Sequence, residues 1–269
     1  MVERRPSGTY YGKIGRTIAV GAFRFTESAY DVNERLPSHE HETPHFCVVL
    51  TGRYVETMGK YKTVTRKPSS VLYLPENIPH QEHHEEPGRH FMIDVIPEQA
   101  RCLRKGLRAP VVMDPDQSIV FAYKLYREYV NFEPDSPAVM DGLANALFGL
   151  LSRQARRQVW PPPVWLKRAK GIIDEHFARP LTLVDIAQMV GVDPEHLAAS
   201  FARAYGSTLG EYLRQRRIRY ACHHIATSSA FSLAEVAVDS GFADQAHFTR
   251  TFKYYVGVTP TMFRRYTKD

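Results

Sequence analysis

The chain is 269 residues long, beyond one typical domain of about 100–200 residues, so two domains are expected. A composition of 43% hydrophobic, 12% aromatic and 24% charged residues excludes a disordered or fibrous chain; with no apolar run near the roughly 18 residues of a membrane span, and no apolar secretory start, it is expected in the cytoplasm with no membrane partner. The net charge of +6 favours polyanionic partners, and the part from Val164 onward, with fourteen Lys and Arg against ten Asp and Glu, is the more basic.

Residues 1–110 carry short runs rich in Val, Ile, Tyr, Phe and Thr, such as 46–50 and 70–74, punctuated by Gly and Pro, so this half is expected to be a β-barrel or sandwich. Within it, His39-x-His41-x-x-x-His45 is followed by Gly52, and Pro75-x-Asn77-x-x-His80 comes later. This spacing resembles the two motifs of cupin barrels. In cupins the H-x-H pair, an acidic residue and a later His hold a divalent metal; in this chain His45 takes the acidic residue's place and Pro44 interrupts the strand. On an extended segment positions 39, 41 and 45 share one face, so with His80 they converge inside a small barrel, and four imidazoles suit zinc, iron, nickel or copper. The preferred alternative is that His39, His41, His45, Tyr73 and His80 line a pocket for an organic effector. His83, His84 and His90 read as exposed loop or strand histidines. Cys47, Cys102 and Cys222, odd in number and without C-x-x-C spacing, read as reduced, buried thiols.

Helical patterns follow over residues 116–131 and 137–158, the second with Val139, Leu143, Leu147, Leu150 and Leu151 on one apolar stripe. The stripe fits packing on the β half or a homodimer contact equally well, and residues 111–160 are read as a helical linker. The sequence Trp160-Pro161-Pro162-Pro163 ends any helix before it, since proline lacks the backbone donor. A third, all-helical region is expected over residues 164–269.

That region repeats itself. Leu181-Thr182-Leu183, Asp185-Ile186-Ala187 and Gly191-Val192 recur in residue class fifty positions on as Phe231-Ser232-Leu233, Glu235-Val236-Ala237 and Gly241-Phe242. One residue later in register, His196-Leu197, Phe201, Gly206, Thr208 and Tyr212 recur as His247-Phe248, Phe252, Gly257, Thr259 and Phe263. Each copy predicts a helix opened by a capping box (Thr182 with Asp185, Ser232 with Glu235), a small Ala where two helices cross, and a Gly turn into a second helix. Two helix-turn-helix units are therefore expected, each with an exposed second helix suited to a major groove.

These residues, with Glu175-His176-Phe177, Gly241-Phe242-x-Asp244-Gln245-x-His247-Phe248, Arg250-x-Phe252-Lys253 and Gly257-Val258-Thr259-Pro260-x-x-Phe263-Arg264, make residues 165–266 similar to the DNA-binding domain of AraC/XylS-type transcription regulators. The resemblance implies an α+β multidomain protein: a cupin-like effector barrel, a helical linker, and two units joined by a long helix over 209–225 that read adjacent segments of double-stranded DNA. It places base readout on Gln245, Ala246, Thr249 and Arg250, and in the first copy on Glu195, Ala198 and Ala199 beside Pro194. Thr208, Thr259, Arg214, Arg217 and Arg264 are the expected phosphate contacts, although Arg217 also suits a tie between helices. The implied partners are a small-molecule effector, a second copy and, for an activator, RNA polymerase. The alternative is a cupin metalloenzyme of the dioxygenase or isomerase type with a DNA-binding tail; no nucleophile motif, phosphate loop or paired catalytic carboxylates favour it.

Overall fold

A computed structural model describes residues 2–59, 62–96, 107, 109–113, 115–157, 162–228 and 230–267. Cys102, Trp160 and Pro161 lie outside the described residues, as does the end of the 137–158 pattern. Contacts divide the chain into two compact units, residues 1–152 and 153–269.

The first unit is built on two sheets. In chain order the strands are β1 (Glu3–Arg5), β2 (Lys13–Val20), β3 (Phe23–Tyr30), β4 (Arg35–His41), β5 (His45–Thr51), β6 (Tyr54–Met58), β7 (Lys62–Arg66), β8 (Val71–Leu74), β9 (His80–His84), β10 (Gly88–Val95) and β11 (Val111–Val112). One sheet has the order β1-β4-β9-β6-β7, the other β11-β8-β5-β10-β3-β2. β5 pairs with both β8 and β10 and is buried along almost its whole length, because each of its faces is covered. Alternation divides the side chains: His45 and Cys47 turn to the space between the sheets, while Phe46 packs against Tyr73 and Phe148 on the outer face. Two helices, α1 (Pro115–Val130) and α2 (Ser136–Arg157), follow. Tyr126 and Tyr129 of α1 lie against Phe91 of β10, with ring centroids 5.3 and 5.1 Å apart.

The apolar stripe of α2 is rotated from its expected position. Met140, Ala144, Leu147 and Leu151 form the buried seam; Val139 is 39% exposed, and Leu143 and Leu150 are half-buried. Met140 and Ala144 complete an i, i+4, i+7, i+11 series with Leu147 and Leu151, in place of the expected Val139 and Leu143.

The second unit is helical: α3 (Val164–His176), α4 (Leu183–Val190), α5 (Pro194–Tyr205), α6 (Leu209–Thr227), α7 (Leu233–Asp239), α8 (Gln245–Val256) and α9 (Pro260–Tyr266). Its first core gathers Leu166, Ala169, Ile173, Ile186, Ala187, Leu197, Phe201, Tyr212 and their neighbours. In the second copy Val236, Ala237, Phe242, Phe248, Phe252 and Phe263 are buried in turn, and Phe248–Phe252–Phe263 form a chain of edge-on rings about 5.4–5.5 Å apart.

Candidate DNA-reading helices and a buried histidine cavity

The repeat in the sequence is a repeat in hydrogen bonding. Thr182 and Ser232 each accept from the amide three residues on, and the carboxylates of Asp185 and Glu235 accept from the capping residues' own amides. The hydroxyl of Thr182 holds the Asp185 carboxyl below its usual range, and the amide of Ser232 does the same for Glu235. Gly191 has φ 73° and closes α4 onto the carbonyls of Ala187 and Gln188. Gly241, with φ 81°, admits no other residue: a Cβ there would stand 2.7 Å from the backbone of Ala178. Both turns are therefore sharp, and the second helix of each copy leaves at an angle.

Those second helices, α5 and α8, start on aspartates. Asp193 accepts from the amides of Glu195 and His196, and Asp244 from that of His247. Leu197 and Phe201, or Phe248 and Phe252, seal the inner face. On α8 the outer face presents Gln245, Ala246, His247 and Arg250 exposed, with Thr249 half-buried; on α5 it presents Glu195, His196 and Ala199 exposed, with Ala198 half-buried. His196, whose ring lies 5.3 Å from Trp165, and His247 share the outer face as well, as their helix positions beside Glu195 and Ala246 signal in the sequence.

The residues expected on phosphates are already engaged within the unit. Thr208 and Thr259 cap α6 and α9, their hydroxyl oxygens accepting from the amides of Glu211 and Met262. Arg214 donates to Glu211 at 2.9 Å and to the Tyr255 hydroxyl at 3.3 Å. Arg217 donates to the carbonyls of Phe177 (2.8 Å) and Arg179 (3.1 Å), and Arg264 to that of Phe231 (2.8 Å). Each of these two arginines ties a helix to the chain that ends or precedes another.

In the β unit, His39 and His41 of β4, His80 and Glu82 of β9, His45 and Cys47 of β5 and His90 of β10 surround one cavity, with Tyr10, Tyr11, Tyr30 and Tyr54. The free space at its centre is about 10 Å³, roughly one water molecule's worth. Ligand nitrogens of His39, His41 and His80 lie within 4.8 Å of one another, and Glu56, His80 and Glu82 form a second such group. His45 stands beside His41, ring centroids 4.5 Å apart, yet falls outside the triad. Pro44 lies in the turn between β4 and β5, and His45 opens β5 in the facing sheet. Tyr73 does not line the cavity. On β8 it alternates with Leu72 and Leu74, which face inward, and it packs outward on Phe46. His84 and His90 are not exposed either; both are 1% accessible, His84 stacked with Tyr30 and Tyr54 and His90 tilted against the same two rings.

Burial governs the ionisation of this cluster. It lowers His39, lowers His41 strongly with help from the neighbouring imidazoles, and brings His45 and His90 to about 3, so these rings are neutral near pH 7. Burial opposes ionisation of Glu82, but the hydrogen bond from His84 (3.1 Å) and the surrounding histidines outweigh it and hold the carboxyl low. Glu82 was not singled out from sequence; the run His80-x-Glu82-x-His84, one face of a strand, was the available signal. Near it, Glu56 pairs with Arg66 at 2.8 Å in full burial, and its other oxygen, Oε1, has no hydrogen-bond partner among the described residues.

Residues 186–266 match the family described as "Helix-turn-helix domain". The chain is 35% identical over 92 residues to the HTH-type transcriptional activator AarP of Providencia stuartii, covering 34% of this chain and 67% of that protein. It is 34% identical over 92 residues to the regulatory protein SoxS of Salmonella typhimurium, covering 34% of this chain and 85% of that one. The solved structure of ToxT from Vibrio cholerae is similar over 92% of this chain and 98% of its own, at 12% identity and a TM-score of 0.39. Paired helix-turn-helix units of matching design, carrying this identity to regulators covered over about two thirds or more of their length, establish that the chain belongs to the AraC family of DNA-binding transcription regulators.

Proposed function

We propose that this regulator reads a specific duplex sequence through α5 and α8, and that a small ligand among the histidines of the β unit sets its affinity. The observation that carries the reading is the outer face of α8, where Gln245 and Arg250 stand exposed above a sealed core. A glutamine fits adenine N6 and N7 and an arginine fits guanine O6 and N7, each with two hydrogen bonds, while Ala246 and Thr249 offer methyl contacts. On α5, Glu195 suits a cytosine amino group, and Ala198 and Ala199 suit thymine methyls, so α8 carries most of the base preference. Thr208 and Thr259 keep their hydroxyl protons for phosphate oxygens. Arg214, Arg217 and Arg264 serve first as internal ties, with any spare N–H groups directed to the backbone of the duplex.

Val139, Leu143 and Leu150 on α2 are the surface assigned to a second copy, and RNA polymerase is the assigned partner if the protein activates. Among the described residues no helix is long and apolar enough to cross a membrane. A cytoplasmic location is part of the proposal. The relatives named above are regulators, and the metalloenzyme alternative gains nothing from them. Selection of bound duplexes from a random pool by the full chain is the test. Enrichment of one motif, with its strongest positions relaxed in Gln245→Ala and Arg250→Ala, is expected; a pool that stays random would overturn the reading.

A further inference from the structure

We infer that α5 and α8 also hold the duplex by its backbone, with Arg203 on α5 and Lys253 and Tyr254 on α8 binding phosphodiester oxygens at the groove wall. This rests on the reading of these two helices as the ones that enter the groove, and names the residues that seat them there. Availability is the first argument. The arginines expected on phosphates are engaged internally: Arg214 with Glu211 and Tyr255, Arg217 with two carbonyls, Arg264 with one. Arg203 and Lys253 are exposed, and their side chains make no hydrogen bond or ion pair among the described residues. A phosphate can recruit such cations without breaking a contact inside the protein.

Register is the second. The offset that carries Phe201 onto Phe252 also carries Arg203 onto Tyr254, so the two occupy one position in the repeat. On α5, Glu195, Ala199 and Arg203 follow at i, i+4 and i+8; on α8, Ala246, Arg250 and Tyr254 do the same. Lys253 flanks this row, three residues after Arg250. Buried Leu197 and Phe201, or Phe248, Phe252 and Tyr255, occupy the opposite side. Eight residues at 1.5 Å each are about 12 Å, close to the roughly 12 Å width of the major groove. A helix whose first turn touches base edges therefore brings this last-turn position out to the phosphates that border them.

Chemistry is the third. The Arg203 fork matches two oxygens of one phosphate, and the Lys253 ammonium serves as a point charge. Tyr254 is 74% exposed, its ring edge-on to that of Tyr255 at 5.1 Å. The Tyr255 hydroxyl is bound to Glu211 and Arg214, whereas that of Tyr254 stands ready to donate to a phosphate while the ring covers a sugar. A basic residue in the last turn also suits the helix dipole, which explains neither the exposed ring nor its place in the repeat.

The test uses the full chain and measures affinity against salt for the selected duplex and for a scrambled one, with urea unfolding as the check on folding. Arg203→Ala and Lys253→Ala should each lower the slope of log K against log salt by about 0.9, equally on both duplexes. The selected motif should stay as it is. Tyr254→Phe, which removes no charge, should weaken both duplexes by about fivefold or more at an unchanged slope. Arg265→Ala, an exposed arginine of α9 away from both reading helices, should keep the parent slope. Parent slopes in folded Arg203→Ala and Lys253→Ala, or an equal fall in Arg265→Ala, would overturn the grip, the latter by showing that charge acts without regard to place. Parent affinity in Tyr254→Phe would remove that hydroxyl from it. If the parent prefers no duplex sequence, the base-reading proposal falls, while slopes lowered on an arbitrary duplex would still uphold the grip.

Discussion

Arg250 and Arg217 share a side chain and differ in everything around it. Arg250 projects from the exposed face of α8, whereas the guanidinium of Arg217 is bound to the carbonyls of Phe177 and Arg179, where burial lowers its pKa. Replacing each by alanine should therefore act on different measurements. Arg250→Ala leaves unfolding by urea almost unchanged and removes about 1–3 kcal/mol of discrimination at one base position, visible in competition between duplexes that differ there. Arg217→Ala destabilises by about 1–3 kcal/mol in urea unfolding, since two carbonyls lose a charged donor, and leaves the selected motif as it was. A shift in motif without a loss of stability for Arg217→Ala would place that side chain on the DNA.

At the level of elements, the two capping boxes give the helical unit a dependence on acid. Asp185 and Glu235 both titrate below their reference values of 3.8 and 4.5, so their ionised forms favour the folded chain. The contribution is complete above those reference values and disappears as pH falls through the lowered folded ones. The thermal midpoint of Asp185→Asn with Glu235→Gln should thus fall less steeply between pH 5 and 3, roughly, than that of the parent. An equal slope would show the boxes carry no such weight. Thr182→Ala, which removes the capping oxygen itself, should cost about 1 kcal/mol in urea unfolding at neutral pH.

These boxes, the Gly turns and the paired phenylalanines were legible in the sequence because a helix hairpin is specified by neighbours a few residues apart. The cavity was less so. His39, His41 and His80 are found by spacing, but spacing does not show that Tyr73 faces outward on β8 or that His84 and His90 are buried. A strand's inward side is set by its partners, and β9 and β10 lie in different sheets, so only the fold brings Glu82 and His90 to one cavity. In α2 the small Ala144 hid the true seam from a pattern that weighs large side chains.

For the molecule as a whole, affinity should fall steeply with salt. Each neutralised phosphate contributes about −0.9 to the slope of log K against log salt, so a slope near zero in a titration of the selected duplex would contradict groove binding. The joining helix α6, Leu209–Thr227, is 19 residues long, about 28 Å at 1.5 Å per residue, somewhat less than the roughly 34 Å of one duplex turn. Protection of the duplex from cleavage should accordingly recur once per turn on a single side. Such a rod converts length into angle: one inserted residue swings whatever follows by about 100°. A regulator of this build and its promoters cannot drift apart in small steps of spacing, so when lineages change the gap between half-sites, new helices on the outer faces are an easier route than a longer rod.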